Sequence, residues 1–102
     1  MSAVKINKAN FQEEVLGSEK PVLLDFYADW CGPCRMVLPI VDEIAQENPE
    51  VKVCKVNVDE EAELAAKYQV YSIPSLFVLK NGQIVNQSVG AKSKEEILEM
   101  LK

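Results

Sequence analysis

Residues 22–34 read VLLDFYADWCGPC, and this segment decides how the rest of the chain is interpreted. Its first seven residues are mostly apolar, which is typical of a central strand that is buried on both faces. Cys31 and Cys34 follow at the point where the pattern changes from strand to helix. The unpaired N–H groups and the positive dipole end of a helix start favour a thiolate over a thiol. The segment therefore predicts reversible dithiol–disulfide chemistry.

Length and composition indicate one globular domain that spans residues 1–102. The formal net charge is −5, which argues against nucleic acid or an anionic membrane as the main partner. The first eight residues contain no apolar stretch of signal-peptide length, and no run approaches the length of a membrane span. We therefore expect a monomeric, cytoplasmic protein.

The hydrophobic pattern predicts alternating strands and helices along the whole chain. Strands are expected at residues 3–6, 21–28, 51–58, 75–80 and 83–89. Helices are expected at residues 11–17 and 33–46, after Asp59 and after Ser93. Asn81-Gly82 favours a type I′ turn, so the last two strands should form an antiparallel hairpin. This order predicts an α/β fold with a mixed sheet, built from parallel βαβ units and a C-terminal antiparallel hairpin.

Three polar residues are predicted to cap helices. Asn10 and Glu13 have the spacing of a capping box for the first helix, and Ser93 and Glu96 have it for the last. Asp59 is expected to cap the short third helix.

Two other kinds of site could account for the cysteine pair. A structural zinc site usually needs four Cys or His ligands, whereas the chain has three cysteines and no histidine. A purely structural disulfide across two residues would constrain little of the unfolded chain. Both alternatives are weaker than a redox role, and we expect no bound metal.

The pentapeptide from Trp30 to Cys34 is the active-site signature of the thioredoxin family, which the chain resembles over essentially its full length. The resemblance implies a central mixed sheet flanked by helices on both faces. It also implies a protein disulfide reductase with Cys31 as nucleophile and Cys34 as resolving thiol, paired as the redox-active disulfide. No bound cofactor is implied, because the dithiol carries both electrons. The implied partners are disulfide-containing proteins and a thioredoxin reductase that draws on NADPH or ferredoxin.

Asp25 interrupts the apolar strand, and the residues alone leave its environment open. Burial would raise the pKa of its carboxyl group, whereas a position at a wet edge would leave an ordinary solvated charge. The resemblance implies a buried aspartate that transfers protons to and from Cys34. It also implies that Lys55 lies beside Asp25, where its positive charge would lower the pKa of Asp25. The alternative for Lys55 is an edge lysine with its ammonium group in water.

The surroundings of Cys31 are also implied by the resemblance. Pro74 is expected to follow a cis peptide bond and to pack against the cysteine pair, with the backbone of Ile73 pairing with a bound substrate strand. Gly32 and Pro33 keep the cysteine loop tight and leave little bulk in front of an incoming disulfide. The expected apolar rim around Cys31, which would bind substrates, consists of Trp30, Gly32, Pro33, Ile73, Pro74, Val89, Gly90 and Ala91.

Two further functions compete with a reductase. A protein oxidant or isomerase could use the same fold, although oxidising relatives typically carry a histidine where this chain has Pro33. A binding or assembly module could instead use the apolar rim while its thiols stay idle. The third cysteine, Cys54, shares strand parity with Val56 and Val58 and is interpreted as a small buried hydrophobic residue.

Overall fold

The computed structural model describes residues 2–102, whose strands form one five-stranded sheet. The strands are β1 (Val4–Lys5), β2 (Val22–Tyr27), β3 (Lys52–Asn57), β4 (Ser75–Lys80) and β5 (Gln83–Val89). The helices are a π-helix (Gln12–Leu16), α1 (Gly32–Glu47), α2 (Ala62–Lys67) and α3 (Lys94–Met100).

The sheet has the strand order β1-β3-β2-β4-β5, with β2 at its centre. β1, β3 and β2 pair in parallel, whereas β2 with β4 and β4 with β5 pair antiparallel. The predicted mixed sheet is therefore confirmed. All six residues of β2 are buried, as its apolar sequence predicts for a strand covered on both faces.

Helices cover both faces of the sheet and create two separate cores. On one face, α1 and α3 pack on the sheet through Val37, Val41, Ile44 and Ile97, which contact Leu23, Val53 and Leu76. On the other face, Phe11, Val15 of the π-helix and Leu64 of α2 pack against Leu24, Phe26 and Phe77. Because side chains alternate along a strand, Asp25 lies on the same face as Leu23, which is the face that α1 covers.

The C-terminal hairpin has the bounds that the sequence predicts. Asn81 has φ 53° and Gly82 has φ 77°, the positive values that a type I′ turn requires at both positions. The register of the hairpin shifts between Val78 and Leu79, which marks a β-bulge. The three earlier strands are each one residue shorter at both ends than predicted.

The capping box predicted for the first helix is wrong. The helical segment starts at Phe11, is a π-helix, and has no side-chain cap. The Asn10 amide instead bridges to the end of β1, donating to the Lys5 carbonyl and accepting from the Asn7 backbone N–H. The Asn7 side chain accepts the N–H groups of Ala9 and Asn10, so it organises the turn before the helix.

The cap predicted at Asp59 is also wrong. α2 begins at Ala62 after Glu61, and no side chain caps it. The Asp59 carboxylate accepts a hydrogen bond from the indole N–H of Trp30 at 2.8 Å, so it is engaged by the cysteine loop. The buried Asn57 side chain accepts the backbone N–H groups of Asp59 and Glu60 and holds this turn.

The capping box predicted for the last helix is confirmed. The Ser93 hydroxyl accepts the Glu96 backbone N–H at 3.2 Å, and the Glu96 carboxylate accepts the Ser93 N–H at 2.9 Å. The cap fixes the start of α3, which buries Ile97 against the α1 face of the sheet.

Removing this cap should destabilise the protein. We expect Ser93→Ala to lower the free energy of unfolding by about 1 kcal/mol, because one N–H of the first turn loses its acceptor. Urea unfolding followed by circular dichroism measures this change. Ser93→Asp keeps an acceptor at the same position and serves as the matched control. A loss of equal size in both variants would show that the cap does not stabilise α3.

Candidate active site

Cys31 and Cys34 form a disulfide at the start of α1, directly beyond the end of β2. Their Cα atoms are 5.3 Å apart. Cys31 is the N-cap residue, and its Sγ accepts the backbone N–H of Cys34 at 3.2 Å. Pro33 occupies the first turn of the helix, where the N–H that proline lacks would have no partner within the helix. Cys34 is fully buried, and Cys31 is 4% exposed, so Cys31 is the sulfur nearer the surface.

The loop between β2 and α1 is tied to the helix that follows it. The guanidinium group of Arg35 donates two hydrogen bonds to the Asp29 carbonyl, at 2.8 and 3.2 Å. In the same loop, the Trp30 indole N–H donates a hydrogen bond to the carboxylate of Asp59, 29 residues later in the sequence. These bonds fix the residues on either side of Cys31, so the disulfide sits on a loop of defined shape.

The loop before β4 closes the other side of the site. The Ile73–Pro74 peptide bond is cis, as expected. Cys31 Sγ lies 3.9 Å from the Ile73 carbonyl oxygen, which places this loop against the disulfide. The Pro74 carbonyl accepts the Gly90 N–H at 2.8 Å, so the segment after β5 joins the same surface.

Asp25 is fully buried in β2, on the sheet face that α1 covers. It lies between Leu23, which belongs to the α1 core, and Tyr27, which packs with Cys31 and Cys34. Neither carboxylate oxygen has a hydrogen-bond partner among the described residues. Because burial disfavours the charged form, the pKa of Asp25 rises to about 8. A carboxyl group with this pKa can either accept or donate a proton near neutral pH.

Lys55 is the register partner of Asp25 on the neighbouring strand β3. Its positive charge lowers the pKa of Asp25 and so opposes part of the effect of burial. The lysine is half-buried, and its ammonium group lies 5.9 Å from the centre of the Tyr27 ring. Lys55 therefore has features of both interpretations of the sequence: its charge lowers the pKa of Asp25, and its side chain is partly exposed to solvent.

The expected rim residues differ widely in accessibility. Trp30 is 67% exposed and Val89 is 61% exposed, which is unusual for large apolar side chains. Ala91, Gly32 and Pro33 are also exposed, Ile73 and Gly90 are half-buried, and Pro74 is buried. Their binding of substrates stays a prediction.

A family model described as Thioredoxin matches residues 2–102 of the chain. The chain belongs to the thioredoxin family. Thioredoxin 1 of Nostoc sp. is 48% identical over 98% of this chain and 94% of its own length. Thioredoxin 1 of Synechococcus elongatus is 51% identical over 97% of this chain and 94% of its own length. A solved mutant thioredoxin from Halobacterium salinarum has a TM-score of 0.89 at 32% identity, and the match covers 98% of this chain and 88% of that one.

Membership of the thioredoxin family gives the cysteine pair its chemistry. The protein is a protein-disulfide oxidoreductase that works by dithiol–disulfide exchange at Cys31 and Cys34. Thioredoxins have no bound cofactor, and their partners are, in general terms, disulfide substrates and a reductase. The predicted fold, family and reaction type are therefore confirmed.

Cys54 lies outside this chemistry. It is buried in the core on the face opposite α1, as the strand parity predicts. Burial raises the pKa of its thiol to about 12, so the reactive thiolate is scarce at neutral pH. The residue packs as a small apolar side chain.

Residues 2–102 offer neither a metal cluster nor a membrane-spanning helix. No group of three or more His, Cys, Asp or Glu side chains in this range is placed to hold a metal ion. None of the helices in this range is both long enough and apolar enough to cross a membrane.

Three residues near the site were missed by the sequence interpretation. Asn57 and Asp59 position Trp30 through contacts that only the folded chain creates. Tyr71, three residues before Pro74, is 88% exposed, and an aromatic residue so close to the Ile73-Pro74 pair was a usable signal.

Proposed function

We propose that the protein reduces disulfide bonds of other proteins in the cytoplasm, as a monomer, and is itself re-reduced by a thioredoxin reductase. The observation that carries the proposal is a disulfide at a helix start, on the α1 face of the sheet that also holds a buried aspartate. The net charge of −5 suits protein partners better than nucleic acid. The reductase draws on NADPH or on ferredoxin.

The first step is attack by Cys31. In the reduced protein its thiolate is stabilised by the N-terminal end of α1, including the Cys34 N–H that points at its sulfur. The thiolate attacks one sulfur of the partner's disulfide, and that bond breaks. The other partner sulfur leaves and takes a proton from water, and a mixed disulfide with Cys31 remains.

The second step is attack by Cys34. Its thiol gives a proton to the Asp25 carboxylate, and the resulting thiolate attacks Cys31 Sγ. The mixed disulfide breaks, the partner's second sulfur leaves and takes up a proton, and the Cys31–Cys34 bond forms. Two electrons have moved to the partner. The intramolecular geometry makes this step fast, because Cys34 is already adjacent to Cys31. Lys55 keeps the pKa of Asp25 from rising further, so that a useful fraction is ionised.

The rim and the cis-proline loop orient the partner. The backbone of Ile73 pairs with an extended strand of the substrate, beside the Cys31 sulfur. Trp30, Val89, Gly90 and Ala91 supply the apolar surface on which the partner rests. Pro74 offers no N–H near the sulfur, and Gly32 and Pro33 leave the approach open.

The equilibrium potential of the Cys31–Cys34 pair tests this function. Titration against dithiothreitol and glutathione buffers can be followed by the fluorescence of Trp30, the single tryptophan and the neighbour of Cys31. We expect a potential well below the glutathione range, as for a reductase driven by a dedicated donor. A potential at or above that range would indicate an oxidant or isomerase and would overturn both the function and the cytoplasmic location.

Asp25→Asn should slow the second step far more than the first. Without a carboxylate to take the Cys34 proton, we expect release from the mixed disulfide near neutral pH to slow on the order of a hundredfold. An aromatic disulfide that releases a coloured thiolate in each step separates the two rates in a stopped-flow instrument. Asp29→Asn, which changes an exposed aspartate in the loop after β2, is the control. An unchanged release rate in Asp25→Asn would remove Asp25 from the mechanism.

A further inference from the structure

A groove lies beside the cis-proline loop, at the start of β4 and the end of β5. It has a volume of about 270 Å³ and is lined in part by Tyr71, Ser72, Ser75, Gln87 and Val89. The side chains that line it in the described part of the chain are all uncharged. By contrast, the groove beside α2 is lined by Lys8, Glu63 and other charged residues. The uncharged groove is therefore a distinct surface on an otherwise acidic protein.

The near end of the groove adjoins the cis-proline loop, which contacts the disulfide. Ser75, at its near end, directly follows Pro74 and pairs with Val89 across the sheet. Pro74 in turn follows Ile73, whose carbonyl oxygen is 3.9 Å from Cys31 Sγ. The groove therefore begins beside the loop that contacts Cys31 Sγ, within reach of residues next to a substrate cysteine bound there.

The walls of the groove are ordered before a ligand arrives. The Ser75 hydroxyl donates to the Ser72 carbonyl, which fixes the loop that carries Tyr71. Tyr71 is 88% exposed and Val89 is 61% exposed, so two large apolar side chains face solvent at the groove. Exposed apolar surface of this kind favours contact with another apolar side chain. Amide and hydroxyl groups that line the same groove, such as those of Gln87 and Ser72, can pair with a peptide backbone.

We propose that this groove, the Tyr71 groove, binds the substrate segment next to the reacting cysteine and selects an uncharged segment with an aromatic or aliphatic side chain. The selected side chain packs on the Tyr71 ring. A charged side chain is disfavoured because it would lose water without gaining a partner of opposite charge. This specificity rests on the proposed reductase function and names the class of segment that the reductase prefers.

Disulfide-linked peptides test the proposal with the full-length protein. The reference peptide has serine at all positions around a central cysteine. In each of the other peptides, a single phenylalanine or lysine replaces one serine, two to five residues before or after that cysteine. The readout is kcat/KM for each peptide divided by kcat/KM for the all-serine peptide. We expect phenylalanine at one position to raise this ratio about tenfold, which is typical of one partly buried aromatic contact. Lysine at the same position should leave the ratio at or below one.

Three variants test whether the effect belongs to the groove. Tyr71→Ser should bring the phenylalanine ratio back to about one. Ile84→Ser replaces an exposed aliphatic residue at the other end of β5 and should keep the tenfold preference. Tyr71→Asp should reverse the selection, so that the lysine peptide becomes better than the phenylalanine peptide.

The outcomes separate this proposal from the reductase function. If no peptide is reduced by the unmodified protein, the proposed function itself fails. If all peptides are reduced equally, or if Tyr71→Ser and Ile84→Ser lose the preference to the same extent, the reductase stands and the specificity of the Tyr71 groove is refuted.

Discussion

Replacing Cys31 with serine should abolish disulfide reduction while leaving the fold intact. The hydroxyl group is not ionised near neutral pH and does not attack disulfides, so we expect activity to fall at least about a thousandfold. Cys31 lies at a helix N-cap, where serine is a favoured residue, so the start of α1 should be preserved. Insulin reduction measures the activity, and circular dichroism of the reduced proteins compares the fold.

Two further cysteine variants accompany this test: Cys34→Ser isolates the first step, and Cys54→Ala is the control. Cys34→Ser keeps the attacking thiolate but removes the resolving thiol, so it should accumulate a mixed disulfide with the partner that mass spectrometry detects. Cys54→Ala removes a buried thiol of the opposite core and should keep its activity, with some loss of stability. Full activity in Cys31→Ser would contradict the mechanism and would favour a role in which the thiols are idle.

The stability of the oxidised protein should fall as the pH rises from 5 to 8 because of Asp25. Its pKa is about 8 in the folded protein and 3.8 without burial, so the folded state holds the proton more tightly than the unfolded chain. Stability is therefore greatest below the unfolded pKa and is lost as the pH rises through the folded pKa. Well below the folded pKa each pH unit lowers the stability by roughly 1 kcal/mol, the slope halves near pH 8, and the loss between pH 5 and pH 8 is several kcal/mol in all.

Asp25→Asn removes this titration, so its stability should change much less over the same range. Urea unfolding of the disulfide forms at several pH values gives the two curves, and Asp29→Asn provides the control with an exposed aspartate. The two curves should draw together or cross towards alkaline pH. Parallel curves for the unmodified protein and Asp25→Asn would mean that Asp25 has an ordinary pKa.

Features encoded by neighbouring residues were predictable from the sequence. The Asn81-Gly82 turn and the Ser93–Glu96 capping box each depend on a few adjacent residues, and both have the expected geometry. The cysteine pair is equally local, because Cys31 and Cys34 meet across a single helical turn. These elements needed no knowledge of the tertiary structure.

Features that depend on distant contacts were not predictable. Asn10 and Asp59 have side chains suited to capping, but both form hydrogen bonds elsewhere in the fold. Asn10 donates to the Lys5 carbonyl at the end of β1, and Asp59 accepts from the Trp30 indole. From the residues alone the environment of Asp25 was similarly open, because alternation gives the face of a strand but not what covers that face, and only the family resemblance implied burial. Only the packing of α1 over β2 makes the carboxyl group buried.

The central position of β2 has a consequence for how the protein moves. Its backbone is hydrogen bonded to β3 on one side and β4 on the other, whereas β5 has a free edge. Amide protons of β2 should therefore exchange with deuterium only through global unfolding, and those at the edge of β5 should exchange earlier, through local opening. We therefore expect the cysteine loop to be anchored to the slowest-exchanging part of the molecule. Dithiol–disulfide exchange at Cys31 and Cys34 should then require no opening of β2.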